Sequence, residues 1–404
     1  MILHCGKLFP AVDGKVLERM AVRIADGKIE DIAPISEAEA WNSDIIDLTG
    51  CFVMPGLIDA HVHICSAGDS GSLHNVEKLI GTCLIDAMEH ARDDLMSGFT
   101  TLRDEGAQDF VDVSLRDAIE AGRVKGPRLL VSGLGIGATG GHSDTHFAPQ
   151  HNVSTGLIVD GADAARKAAR YNIKYGVDQI KLMATGGVLS VGDEPGAQEL
   201  TREEMRAAIE IAEMHGKLSS AHAHGAAGIK AAIKAGITSI EHGMMMDDEC
   251  VELMVKHGTY LIPTIIAGYQ IVQQGEALGL NPAFIEKAKR CLENHARNMQ
   301  KCREAGVRIG FGTDAGTPGN THGKQALEYK LMTDVGFTPA EVLLAATRIN
   351  AKLLQKDRMI GSIEKGKCAD FVAMEANPLE DIERMRHVSF VMKDGEVVKR
   401  QGCS

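Results

Sequence analysis

An apolar run at 57–63, LIDAHVH, ends in two histidines two residues apart. Side chains alternate along a strand, so His61 and His63 project to one face while Val62 points to the other. Polar residues recur at the ends of later apolar runs: Lys181 in DQIKLMA, His222 and His224 in LSSAHAHG, His242 in TSIEHG and Asp314 in RIGFGTD. Imidazoles and a carboxylate suit zinc or a similar divalent ion. Taken singly, each element has a plainer reading. An HxH arises by chance, a strand-end lysine snorkels to the surface, GTD forms a turn or helix cap, and the histidine of EHG is satisfied inside a core. Their coincidence at the same ends of their strands is what favours chemistry.

The elements that would carry these residues are eight short apolar runs, at 57–63, 99–104, 128–133, 178–184, 218–225, 238–243, 259–266 and 308–314, alternating with helical stretches. That is the pattern of repeated βα units around a parallel sheet. Helices are expected within 75–98, 160–176 and 201–216. The last has a capping box, Thr201 with Glu204, and stops at Gly216. In a (β/α)8 barrel the C-terminal strand ends converge on one site, which makes an α/β TIM-like barrel the leading architecture and an open doubly wound sheet the alternative. The flanks read as short strands with Asp26-Gly27 and Asp394-Gly395 hairpin signals. They predict a small β-sandwich formed from both termini, with 1–55 and 358–404 as its two parts and 56–357 as the barrel.

Composition bounds the function. The chain has 404 residues, 44% apolar and 24% charged, and no run of about 18 uncharged apolar residues that would span a membrane. A net charge of −12 without clustered Lys and Arg argues against a nucleic-acid partner. The opening MILHCGKLFP lacks the features of a secretory signal, so a cytoplasmic location is expected. Nine scattered cysteines without a CxxC pair argue against a disulfide framework and a thiolate zinc site.

The pieces PGLIDAHVH (55–63), KLMATGG (181–187), AHAHG (221–225), IEHG (240–243) and GTDAG (312–316) together resemble the amidohydrolase superfamily, in that family's order. The resemblance implies two divalent metal ions, with zinc the first choice among metals that share these ligands. His61, His63 and Asp314 would hold one and His222 and His242 the other, bridged by Lys181 carboxylated with CO2. A carbamate offers two anionic oxygens where an ammonium would repel cations. A bridging water would lose a proton more easily there and become the nucleophile, and Asp314 would take up a proton and deliver it to the leaving amine. The HAH spacing leaves the order of His222 and His224 open; the reading adopted takes His222 as ligand and His224 as facing substrate.

The long glycine-rich connection at 133–156 is expected to be an unstructured substrate-binding loop, with His142, His146 and His151. Its ATGGHSD segment resembles metal-dependent dipeptidases of the superfamily, in which the equivalent of His142 contacts the scissile carbonyl, giving His142 a catalytic and substrate-binding role. Residues 181–243 look like the Xaa-Pro dipeptidase and Xaa-Arg carboxypeptidase branch, close to imidazolonepropionases. That implies hydrolysis of a small-molecule amide next to a C-terminal carboxylate, in a dipeptide or N-acyl amino acid, by a homo-oligomeric enzyme. The branch also includes hydrolases of aromatic amides such as ochratoxin. Arg103, Tyr269 and Lys324 are candidates to meet the substrate carboxylate, with an ion pair as the plainer role for Arg103. A deaminase or cyclic-amide hydrolase of the imidazolonepropionase type is the alternative, disfavoured by Lys181 and by AHGAA after His222. An inactive barrel serving as an interaction module is opposed by the full set of ligand types.

Overall fold

The computed structural model describes residues 1–69, 76–144, 150 and 153–402. All eight expected runs contain a strand: β1 Leu57–Val62, β2 Phe99–Asp104, β3 Arg128–Leu130, β4 Gln179–Met183, β5 Leu218–Gly225, β6 Ser239–Met245, β7 Tyr260–Ile262 and β8 Arg308–Ile309. Every pairing among them is parallel. β1, β2 and β3 form one sheet; β8 to β4, in reverse order, form most of a second, seven-stranded sheet. Each residue of β1, β2 and β5 is buried, as parallel strands covered on both faces require. Backbone hydrogen bonds link the two sheets at both edges. Ala60 N–H donates to Phe311 O (3.0 Å) and His63 N–H to Ala315 O (2.8 Å) at one, and Asp178 N–H donates to Val131 O (2.8 Å) at the other.

Three segments depart from expectation. The 133–156 connection is not unstructured: Ile136–Gly137 pairs with β4 through Leu182 and with Leu157–Ile158 on its other side. His146 and His151 lie outside the described residues. The 259–266 run stops being strand at Ile262, because Pro263 has no N–H to donate and Thr264 is left-handed (φ 46°). The helix Ile265–Gln274 starts there, its first two N–H groups taken by the two oxygens of the buried Glu328 carboxyl group at 3.0 and 2.7 Å. β8 is short because a side chain replaces its ladder: Asn350 accepts from Phe311 N–H and donates to Phe311 O and Ile58 O.

The helices Ile80–Met96, Ala162–Lys174 and Arg202–Met214 fall where expected, the last with its Thr201/Glu204 capping box formed. The terminal segments share one seven-stranded mixed sheet in which the strand Phe371–Met374 pairs with Ile45–Pro55. Both hairpin turns have the two positive φ values of a type I′ turn, at Asp26-Gly27 and Asp394-Gly395. The expected sandwich takes the form of one curled sheet: its edge returns to the other terminus through a Lys28–Cys368 bridge and encloses Leu3, Val22, Val53, Phe371 and Phe390. Arg128 at the start of β3 pins this sheet through Asp370 (3.0 Å) and Asp394 (2.7 Å). Seven of the described cysteines carry no disulfide and are mostly buried, whereas Cys51 is in a disulfide that the spacing did not signal. Among the described residues no helix is long and apolar enough to cross a membrane.

Candidate active site

Register brings the candidate residues to one end of the parallel strands. Lys181 on β4 is opposite Ser220 on β5, and His222 is opposite both Met183 on β4 and Glu241 on β6. Alternation turns Ser220, His222 and His224 to one side. Glu241 and His242 are neighbours, yet both reach the interior, because His242 is left-handed (φ 71°) and breaks the alternation. Asp314 is also left-handed (φ 60°). Such conformations cost roughly 1–3 kcal/mol each and cluster at functional sites. A cavity of about 190 Å³ is lined by His61, His63, Lys181, His222, His242 and Asp314, together with His142 and His224.

The imidazoles crowd one another. Ring centroids are 5.0 Å apart for His61 and His242, 4.8 Å for His222 and His242, and 5.4 Å for His61 and His63. Asp314 Oδ1 lies 3.4 Å from His61 Nε2 and 3.3 Å from His63 Nε2. His61 Nε2, His224 Nδ1 and Asp314 Oδ1 are nevertheless buried without a hydrogen-bond partner. Donor atoms of His61, His242 and Asp314 lie within 4.8 Å of one another. Orphaned, mutually facing lone pairs in a buried site are what a metal ion resolves, so these residues fit one. Burial and neighbouring imidazoles hold His222 and His242 well below the ordinary histidine range, and His224 is lowered to about 3. Neutral rings are the ligand form. His61 differs: burial and Lys181 oppose its charge, but Asp314 and Glu241 outweigh them and raise it to about 9. The same carboxylates favour a cation at its Nε2. Asp314 itself stays far below the usual carboxylate range, since His61 and His63 outweigh its burial.

A buried charge network that the motifs did not reveal runs from the cavity floor, where Glu105 and Lys181 are part of the lining, to Arg103 and Glu241 behind it. His61 Nδ1 is 2.8 Å from Glu241 Oε2, and His242 Nδ1 is 2.6 Å from Thr264 Oγ1. Arg103 meets both oxygens of Glu241 at 2.9 and 2.8 Å, Glu105 at 2.9 Å and Ser239 at 3.0 Å. Glu105 also receives Lys181 Nζ (3.0 Å), Ser220 (2.6 Å) and Gln179 (2.9 Å). Arg103 and Lys181 outweigh burial and keep Glu105 well below the ordinary carboxylate range. Arg103 is therefore an ion-pair residue sealed beneath the site, not a contact for a substrate carboxylate. Lys324 lines a separate cavity beside His322, and Tyr269 does not line the active-site cavity.

His142 stacks on His222 with centroids 4.3 Å apart and has Nδ1 2.8 Å from Ser190 Oγ. Val188, Leu189, Met244, Ile271 and Pro318 give the cavity an apolar wall; Gln108, Ser143, Thr155 and Thr317 supply neutral polar groups. Among the described residues no arginine lines it, and Lys181 is its one lysine. Glu105, Glu241, Thr264 and Ser190 were missed from sequence. Glu105 and Glu241 sit next to singled-out residues, Arg103 being two positions before one and His242 directly after the other, and that adjacency was the available signal.

Residues 52–398 match the amidohydrolase family. The chain is 36% identical to a Xaa-Pro dipeptidase whose crystal structure has methionine bound in the active site, with a TM-score of 0.93 and coverage of 98% of this chain and 99% of that one. It is 32% identical to ochratoxinase of Aspergillus niger over 99% of this chain and 87% of the relative. It is 25% identical to imidazolonepropionase of Geobacillus sp. (strain WCH70), over 96% and 92%. These similarities imply a TIM barrel with an extra domain. With the match spanning most of its length, the chain belongs to the amidohydrolase family and is an amidohydrolase-type hydrolase.

Proposed function

We propose that this protein hydrolyses an amide bond next to a free carboxylate, in dipeptides or N-acyl amino acids with apolar residues, at a centre of two divalent ions. The observation that carries the reading is the set of buried, unpartnered donor atoms facing one cavity, with His61 Nε2 and Asp314 Oδ1 foremost. The bonds joining β1 to the β8 segment and β3 to β4 fit closure of the strands into an eight-stranded barrel, with 56–357 as the barrel and 1–55 and 358–404 as the added sheet. His61, His63 and Asp314 would hold one ion and His222 and His242 the second, with carboxylated Lys181 between them. When bound, such ions polarise a carbonyl and make water more acidic.

The chain's own residues supply the rest. Glu241 orients His61, and Thr264 orients His242, each through Nδ1, leaving Nε2 free as the ligand atom. Asp314, kept ionised, can accept a proton from the attacking water and pass it to the leaving nitrogen. Carboxylation of Lys181 would replace the ammonium 3.0 Å from Glu105 Oε2 by an uncharged N–H that carries an anionic carboxylate, so Glu105 would lose a cation and gain a nearby anion. The modification is therefore expected only together with the cations that offset it. The substrate carboxylate would be read by neutral donors such as Gln108, Ser143 and Thr155, and the apolar wall would take an uncharged side chain. The methionine in the similar dipeptidase structure has that character.

The test combines metal counting with a substrate screen. Zinc- or manganese-loaded protein should retain about two equivalents of metal and release the C-terminal residue from dipeptides and N-acyl amino acids with apolar C-terminal side chains. Retention below one equivalent, with no amide in the library cleaved, would overturn the reading.

A further inference from the structure

The loop after β4 holds a hydrogen-bonded chain that ends on His142. Ser190 Oγ lies 2.8 Å from His142 Nδ1 and 2.6 Å from Asp193 Oδ2, which also accepts Gly187 N–H at 2.8 Å. Lys287, from the helix Pro282–Leu292, donates to Asp193 Oδ1 (3.1 Å) and to the carbonyls of Asp193, Ser190 and Gly187 at 2.6, 2.9 and 3.2 Å. The Asp193 and Lys287 side chains are 5% and 8% exposed. The ring is held between His222, stacked at 21°, and Gly187, where a Cβ would fall 2.1 Å from ring atoms.

Proton counting then sets the tautomer. Asp193, ion-paired to Lys287, is a pure acceptor, so the short contact to Ser190 uses the single hydroxyl proton. Ser190 Oγ faces His142 as an acceptor, and the ring proton of neutral His142 must sit on Nδ1.

We propose that Ser190, Asp193 and Lys287 are positioning residues that fix His142 as the Nδ1–H tautomer, so that its Nε2 presents a lone pair to the substrate. A lone pair accepts an N–H and cannot donate to a carbonyl oxygen, which revises the carbonyl contact expected from the sequence. The enzyme accordingly favours secondary amides over the tertiary amide of an Xaa-Pro bond, which has no N–H. The substrate preference rests on the amide-hydrolase reading; the tautomer does not.

The test uses zinc-loaded protein labelled with 15N-histidine, with the His142 signals assigned by loss in His142→Gln. Wild type should show protonated Nδ1 and unprotonated Nε2, and Ser190→Ala should lose that bias at unchanged metal content. With N-acyl amino acids, Ser190→Ala should lower kcat/KM about tenfold more than with the matching N-acyl prolines, and Ser190→Thr, which keeps the hydroxyl, should restore it. An Nε2–H tautomer in wild type, or the same tautomer in Ser190→Ala, overturns the proposal. So does an equal fall for both amide classes. If wild type cleaves neither class, the hydrolase reading fails while the nitrogen shifts still decide the relay.

Discussion

Arg103→Met tests whether one guanidinium holds together the layer on which the candidate metal site rests. Arg103 is 1% exposed and bonds both oxygens of Glu241 and one of Glu105. Methionine fills much of the stem but leaves Glu241 facing only His61 and Ser239, and Glu105 with Lys181 as its remaining ion-pair partner. Removing one partner of a buried ion pair costs about 3–5 kcal/mol, most of it the stranded charge. Unfolding entropy scales at about 2.1 cal/mol/K per residue, which for 404 residues gives roughly 0.85 kcal/mol/K. The thermal midpoint should therefore fall by about 4–6 °C. Calorimetry on wild type, Arg103→Met, Glu241→Met and the double variant completes a cycle. Removing cation and anion together strands less charge, so the double variant should lose about 0.5–3 kcal/mol less than the two single losses combined. Metal affinity by chelator competition should fall about 10–100-fold in Arg103→Met, because Glu241 no longer holds the His61 ring. A midpoint within about 1 °C of wild type, or additive losses, would refute the argument that the two carboxylates depend on this one cation.

Asp314→Asn should fold normally and lose about 10²–10⁴-fold in kcat, since it removes both a charged ligand and the proton carrier; near-normal turnover on an N-acyl amino acid contradicts the role. Lys181→Ala should lose metal, measurable by elemental analysis, and partial recovery of activity with added short carboxylic acids would support the carbamate. Gly312→Ala should disturb the site from behind, because a Cβ there would lie 2.4 Å from Ile262 Cγ2 and 2.9 Å from His61 Cβ; a lower metal occupancy at unchanged ligands is the expected result. Burial pushes Glu328 up to about 8, above its unfolded value of about 4.3. The folded state then binds the extra proton between those values, so this group's contribution is full below the unfolded value and is lost as pH rises towards about 8. Glu328→Gln should therefore compare better with wild type at the alkaline end of that window, and a thermal-midpoint difference independent of pH would contradict the shift.

What could be read from the chain, and what could not, follows from the kind of contact each residue makes. Strands buried on both faces advertise themselves as continuous apolar runs with a polar end, and alternation correctly puts His61 with His63 and His222 with His224. Alternation fails at Glu241 and His242, which share the interior only because one residue is left-handed, a state that no periodicity encodes. Ser190, Asp193 and Lys287 are joined across 97 and 94 positions and belong to no repeating pattern. Arg103 shows the limit most sharply. Its strand says which face it occupies, and on that evidence a substrate carboxylate and a structural one are equally good partners. Depth decides between them. Lys181 stands opposite Ser220 and His222 opposite Glu241; Glu105 forms part of the cavity floor and Glu241 sits behind His61, and together they capture the guanidinium, which does not itself line the cavity, before any ligand can. A site built on a parallel sheet therefore takes its ligand types from single strands but its charge balance from register between strands, and register is the property a single apolar run leaves open.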